Sequence, residues 1–355
     1  MKFDAALDVS VSKSSLCVVS SEDGQIVLET TVATEPEAIA EALKPYASRL
    51  RRLGHEAGSL APWLQRELQA LGLPAVVLET RHAHGVLRAQ RNKTDRADAR
   101  GLAQIVRSGW YKVVHVKTEA SHRLRFLLAA RRSLKRKQLD IENQVRHGLK
   151  VFGVVLRPGM RRGPFPDQVR EALAADPALA AICEPLLAAW SMLLAEHNRL
   201  HKALVKAAGE DELCRRFMAI PGVGVVTAAT FKAAVDEPRR FRKSRTVGAH
   251  FGLTSRRIQS GDTIDFDGRI SKCGDKDVRT VLYEAASSML GRCNTWCSIR
   301  AWGLKVAQRR GRKRAVVAVA RKLATVMHAM WRTGEPFQFS TSGREPVPNG
   351  GLGPA

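Results

Sequence analysis

The chain lacks several things that would place it in familiar classes. Its six cysteines (Cys17, Cys183, Cys214, Cys273, Cys293, Cys297) are scattered, with no CxxC pair among them. That spacing argues against a zinc ribbon and against a disulfide framework, and it predicts free thiols in a reducing compartment. No uninterrupted apolar run reaches the roughly 20 residues of a membrane helix. The N-terminus reads as a strand and not as a basic stretch followed by an apolar signal core. There is no internal repeat. Acidic residues are short in supply, 34 against 58 Lys and Arg. The expectation is a soluble, cytoplasmic chain with no membrane role. Its 355 residues and 45% hydrophobic content are enough for two or more cored domains.

The charge that is present is unevenly placed. Residues 1–100 hold 13 basic and 13 acidic residues, and the remainder hold 45 and 21, so the whole excess of +24 lies after residue 100. A neutral first domain followed by a strongly basic remainder fits a polyanion binder, because neutralising phosphates releases counterions. A merely basic soluble protein is the plainer reading of the same charge.

Residues 2–9, 15–20 and 26–32 are short β-branched-rich runs separated by turns, and they predict three antiparallel strands. Helical spacing follows over 35–50, then an extended stretch into Gly54-His55-Glu56-Ala57-Gly58, a helix over 60–71 and a strand over Ala75–Leu78. This order suggests an α/β mixed sheet of the RNase-H kind with helices on its faces. From about 119 to 150, Leu124, Leu127, Leu134, Ile141, Val145 and Leu149 recur at helical steps, and Leu186, Trp190, Leu193, Leu200 and Leu204 do so later. Two such helices predict an antiparallel hairpin or coiled coil, acting as spacer, dimer seam or nucleic-acid contact. Ile220-Pro221-Gly222-Val223-Gly224 reads as a helix-hairpin-helix turn, with Gly222 and Gly224 letting backbone N–H groups approach a phosphate. Lys305–Arg314 carries six Lys or Arg, with Arg309, Arg310 and Arg312 as candidate contacts. A last helix is expected from about Lys313 to Trp331, and a disordered Gly/Pro-rich tail after it. The domains expected are 1–115, 116–210 and 211–332, with a tail over 333–355.

Four acids in the neutral part stand out. Asp8 lies near a strand end, Glu56 between two glycines, and Asp95 and Asp98 three apart at a helix start, so the last two share a helix face. Such carboxylates could converge at one sheet edge and hold hard divalent cations for phosphodiester chemistry. Each also has an ordinary reading, as a turn residue or as an acid answering a helix macrodipole. Asp4, Glu22 and Asp23 read as surface acids. Ser271 sits between Gly268 and Gly274, ahead of an amphipathic helix, with Lys272, Lys276 and Arg279 near it in sequence. It is either a loop or capping serine or a nucleophile beside phosphate-binding cations.

These motifs together resemble the DEDD transposases of the insertion sequence one-hundred-and-ten family. The resemblance rests on Asp8 in LDVSVSK, Glu56 in GHEAG, the acids of NKTDRADAR, the IPGVG turn, and GRISKCGD with Arg279 and Tyr283. It spans about residues 2–331. It implies a RuvC-like domain whose Asp8, Glu56, Asp95 and Asp98 bind Mg²⁺, a helical coiled-coil linker, and a mainly helical transposase domain. There Ser271 would attack DNA and form a covalent intermediate. It further implies donor and target DNA as substrates, a structured bridge RNA as guide, and a homo-oligomer. That assembly would be a dimer and, in the synaptic complex, a tetramer, with one subunit's acids meeting another's serine. Action at the bacterial nucleoid follows from it as well. The competing readings are a RuvC-like endonuclease that hydrolyses junctions, in which Ser271 is dispensable, and a non-catalytic nucleic-acid binder.

Overall fold

The computed structural model describes residues 1–87, 94–156, 164–260 and 264–340. The Gly/Pro tail beyond 340 and part of the link at 157–163 lie outside these residues, as do Asn92 and Lys93 of the acidic motif. The described chain forms two compact units, Met1–Lys117 and Thr118–Ala355.

In the first unit, β1 (Phe3–Val9), β2 (Lys13–Ser20) and β3 (Ile26–Ala33) form an antiparallel meander. Then come α1 (Pro36–Leu43), β4 (Leu50–Glu56), α2 (Ala61–Ala70), β5 (Ala75–Leu78), α3 (Thr80–Leu87) and α4 (Asp95–Ser108). The sheet order is β3-β2-β1-β4-β5, with β4 parallel to β1 and β5 parallel to β4. This is the mixed sheet expected of an RNase-H-like domain. The helix expected over 35–50 ends at Leu43, because Pro45 has no N–H to donate and disfavours helical backbone before it.

Strand alternation gives each face its own core. Phe3, Ala5 and Leu7 pack with Leu53 against Ile39 and Leu43 of α1 and Leu64 and Leu68 of α2. Ala6, Cys17, Val19 and Leu78 pack on the other face against Ala99, Leu102, Ala103 and Val106 of α4. Asp4 belongs to that second face, and it corrects the surface assignment: it is buried, accepts a hydrogen bond from Ser21 Oγ at 2.7 Å and pairs with Arg51 at 2.5 Å. A buried carboxylate tolerates desolvation only with such partners. His55, buried on the first face, is pushed down to about pKa 4 by burial and so is neutral at pH 7.

The second unit contains α5 (Glu119–Leu149), α6 (Phe165–Ala172), α7 (Pro177–Glu210), α8 (Glu212–Met218), α9 (Val225–Val235) and α10 (Val247–His250). After the hairpin β6 (Ser255–Ser260) and β7 (Ile264–Ile270) come α11 (Lys276–Gly291), α12 (Ser298–Arg310) and α13 (Arg312–Thr333). Helices α5 and α7 are antiparallel: Arg131 hydrogen-bonds His201, while Val145 and Leu149 share a core with Cys183 and Leu187. Helices α8 to α13 enclose a separate core around Phe217, Phe231, Phe251, Leu282 and Leu323.

Helix α7 qualifies the membrane expectation. An 18-residue window within it has mean hydropathy 1.8, so by length and composition it could cross a membrane. Glu184 interrupts the apolar run and hides this from a scan for unbroken stretches. Less than a quarter of that window is buried in the chain, and Ile182 and Met192 are 69% and 70% exposed.

Gly54 is the close contact between β4 and α4: a Cβ there would stand 2.3 Å from Val106 Cγ2 and 3.2 Å from a Leu78 methyl. We expect Gly54→Ala to destabilise the first unit by roughly 1–3 kcal/mol through overpacking. Adding Val106→Ala should recover much of that loss, and denaturant unfolding of the double-mutant cycle measures it. Additive losses would show that the two residues do not share this contact.

Candidate active site

The acids assemble from topology. The parallel pairing of β1 with β4 matches Leu7 to His55, so Asp8 and Glu56 follow side by side at the same strand ends. By alternation both stand on the α4 face, Asp8 in phase with Ala6 and Glu56 with Gly54. Both are half-buried.

Helix α4 runs back along that face, opposite in direction to β1. Near its C-terminus, Gln104 donates to the Gly24 carbonyl at 2.8 Å, in the β2–β3 turn at the opposite end of the sheet from Asp8. Arg100 pairs with Glu29, which is opposite Cys17, itself opposite Ala6. Strands rise about 3.3 Å and helices about 1.5 Å per residue, so Asp95 and Asp98 lie about level with Asp8. They continue the stripe of Ala99, Leu102 and Val106 that α4 buries on the sheet. Thr94 caps the helix, its Oγ1 accepting from the Ala97 N–H at 3.2 Å.

All four sequence-predicted acids therefore share one face and one end of the sheet. Among the described residues, no three His, Cys, Asp or Glu side chains stand close enough to hold an ion as they are placed. The donor set is carboxylate oxygen from two strands and one helix. Such a set suits a hard divalent cation that keeps water or phosphate among its ligands, and not a thiophilic metal.

Ser271 directly follows β7, whose Ile270 pairs with Ser255. Its N–H donates to the Thr254 carbonyl at 2.8 Å, and the Lys272 N–H donates to the Gly252 carbonyl at 3.2 Å. The two segments cross closely because both contain glycine. A Cβ on Gly252 (φ +68°) would lie 2.4 Å from the Cys273 nitrogen, and one on Gly274 (φ +68°) would lie 2.2 Å from the His250 carbonyl oxygen. Lys272 itself has φ +54°, an uncommon conformation for a side-chain-bearing residue. Ser271 does not cap α11. Asp275 does, accepting from the Asp277 and Val278 N–H groups at 2.8 and 3.3 Å. Ser271 Oγ accepts a long contact of 3.5 Å from the Cys273 N–H, and Arg256 holds the Ser271 carbonyl at 3.1 Å.

The cations expected near the serine divide. Lys272 and Lys276 are exposed. Arg279 instead fastens the loop: its Nη1 lies 3.2, 2.5 and 3.1 Å from the carbonyls of Phe251, Cys273 and Gly274. Helix α5 braces the same segment through Arg125–Asp275 at 2.6 Å and through Arg132–Asp277. No sequence reading found the β6–β7 hairpin or these braces, since a contact across 150 positions leaves no local pattern.

The two turn glycines also divide. Gly222 (φ +83°) lets the turn press on α11, where a Cβ would meet the Ala285 carbonyl oxygen at 2.6 Å. Gly224 caps α9 and faces open space. It lines a cleft of about 580 Å³ with Met218, Pro221, Cys293, Thr295 and Phe339. Arg309 and Arg310 end α12, Gly311 (φ +80°) breaks the basic run, and Arg312 opens α13; all three arginines are exposed.

An RNase-H-like sheet with four acids at one end, and a basic helical unit, point to a class of proteins that process nucleic-acid strands. Comparison with known proteins narrows this. Residues 5–153 match a family described as "Transposase", and residues 214–301 match the "Transposase IS116/IS110/IS902 family". A putative transposase, y4pF/y4sB, of Sinorhizobium fredii is 28% identical over 299 residues, covering 82% of this chain and 71% of its own length. The transposase for insertion sequence element IS1111A of Coxiella burnetii is 28% identical over 282 residues, covering 77% and 75%. A shorter similarity, 28% over 121 residues, reaches the pilin gene-inverting protein of Moraxella bovis and covers 33% and 36%. The chain belongs to the IS110-type transposases, enzymes that act on DNA.

The Arg125–Asp275 pair carries a pH signature. Burial pushes the Asp275 carboxyl up, but Arg125 and the helix N–H groups outweigh it and hold the carboxyl below the usual aspartate range. A depressed folded-state pKa contributes stability above the unfolded value, about 3.9, that is lost as pH falls through the folded value. We expect Asp275→Asn to flatten the acid limb of stability below about pH 4 while lowering stability at neutral pH. Equilibrium unfolding across pH checks this; an unchanged acid limb would mean the pair is not coupled to folding.

Proposed function

We propose that the chain recombines DNA through a covalent serine intermediate, with a divalent cation, Mg²⁺, held by Asp8, Glu56, Asp95 and Asp98. The observation that carries this reading is the location of those four acids on one face and end of the sheet in a transposase where Asp275, and not Ser271, caps α11. A cation bound there would supply charge neutralisation at the scissile phosphate. Ser271 Oγ forms the bond to phosphorus as the bond to the 3′ oxygen breaks. The hydroxyl proton passes to a base, and the released strand end leaves as a 3′-hydroxyl. Attack by another 3′-hydroxyl then reverses the step and rejoins strands without hydrolysis. Lys272 and Lys276 would balance the extra charge of the transition state.

The same proposal includes a structured bridge RNA as guide, favoured by a charge excess confined to residues after 100. It also includes a homo-oligomer, a dimer at least and a tetramer during synapsis, seated partly on the exposed apolar side of α7. Serine and acids of different copies would then cooperate.

The test is adduct trapping with element-end DNA, target DNA and RNA. We expect a covalent protein–DNA species from the wild type and none from Ser271→Ala, with recombination reduced at least about a thousand-fold. Asp8→Asn should abolish recombination and leave RNA and DNA binding intact. Cleaved products without an adduct, formed equally by Ser271→Ala, would replace this reading with metal-assisted hydrolysis.

A further inference from the structure

We propose that α12 and the loop before it form a stacking surface for unpaired bases of a DNA strand, with Trp296 and Trp302 as the platforms. This rests on the chain acting on DNA, and it adds residues and a substrate form that the serine chemistry does not require.

The first observation is charge. Between Glu284 and Glu335 there is no acidic residue, and the same stretch holds eleven Lys or Arg. Among the described residues, none of these eleven joins an ion pair. A solvated helix face normally mixes signs, because like charges four apart repel. A surface with cations alone is complementary to a phosphate backbone.

The second observation is the pair of tryptophans set into that charge. Trp302 is 41% exposed and Trp296 is 56% exposed. The core has room for neither, because α12 packs through Ile299 and Gly303. At Gly303 a Cβ would meet Val319 at 2.6 Å and Leu290 at 2.8 Å, so α12 lies tight on its neighbours. One position away, Trp302 is turned off that contact. It falls in a stripe with Lys305 and Arg309 at helical steps of three and four, both exposed. Trp296, just before the Cys297 cap, is a second exposed indole ahead of the helix start.

An indole face between cations holds a single strand well. Each base offers a π-face whatever its identity, and the cations follow the backbone. In a duplex those faces are hidden in the stack, so this arrangement selects unpaired nucleotides. Strand transfer passes through broken and displaced strands, which supply them.

The experiment measures binding of the full chain to a twelve-nucleotide oligo-dT and to a mixed-sequence twelve-base-pair duplex, by anisotropy over a salt series. Trp302→Ala and Trp296→Ala should each weaken oligo-dT binding by roughly 5- to 100-fold. Duplex binding should change less than about twofold, and the salt slope should stay the same. Trp302→Phe should keep most of the affinity, and Trp302→Leu, apolar but without a π-face, should lose as much as alanine. Arg309→Gln should lower the single-strand salt slope by roughly 0.7. Equal losses on duplex and single strand would overturn the proposal, as would rescue by leucine or a changed oligomeric state in the tryptophan variants. Oligo-U bound tenfold more tightly than oligo-dT would overturn the assignment to DNA. The readout is binding alone, so it stands apart from whether Ser271 forms an adduct.

Discussion

The first unit depends on one arrangement: two parallel neighbouring strands, and a helix that runs back along them. β1 and β4 end together, and α4 begins at that same end, so four acidic residues share one end of the sheet. That arrangement is held by burial along the rest of the sheet. The apolar clusters on both sheet faces do this, together with the close fit of Gly54 to Val106 and the pairing of Arg100 with Glu29.

The second unit solves a different problem, presenting a hydroxyl on a short loop. Loops are mobile by default, and a nucleophile needs a fixed position. Here two glycines allow the chain to cross itself, Arg279 ties three carbonyls, and α5 holds the start of α11 through Asp275. Basic residues are plentiful around these features, but they have different tasks. Arg125 and Arg279 hold the protein together, whereas Lys305, Arg309, Arg310 and Arg312 are exposed and, among the described residues, join no ion pair.

Much of this was legible in the chain. The order of elements along the chain and the α/β class follow from β-branched runs and turn residues, whereas the four acids are singled out as a set by the family resemblance. The helical hairpin follows from its leucine steps. What escaped was non-local or masked by composition. Asp4 reads as a surface acid until Arg51, 47 positions away, is found beside it. The first strand of the hairpin before Ser271, SRRIQS, has a single apolar residue, and the alternation of Ile264, Phe266 and Ile270 in the second escapes notice between charged residues. Arg279 seemed suited to a phosphate because sequence shows its charge and not the carbonyls it holds. α7 passed as an ordinary amphipathic helix because Glu184 divides its apolar run.

The central claim is that Asp8, Glu56, Asp95 and Asp98 act as one cation site. The most direct measurement is titration of the full chain with Mn²⁺, following the free ion by its paramagnetic resonance signal, in the absence of nucleic acid and with Mg²⁺ as competitor. The account predicts saturable binding that Mg²⁺ displaces and that Asp8→Asn and Asp98→Asn each weaken strongly, with far-ultraviolet circular dichroism unchanged. Equal binding by wild type and both variants would contradict it.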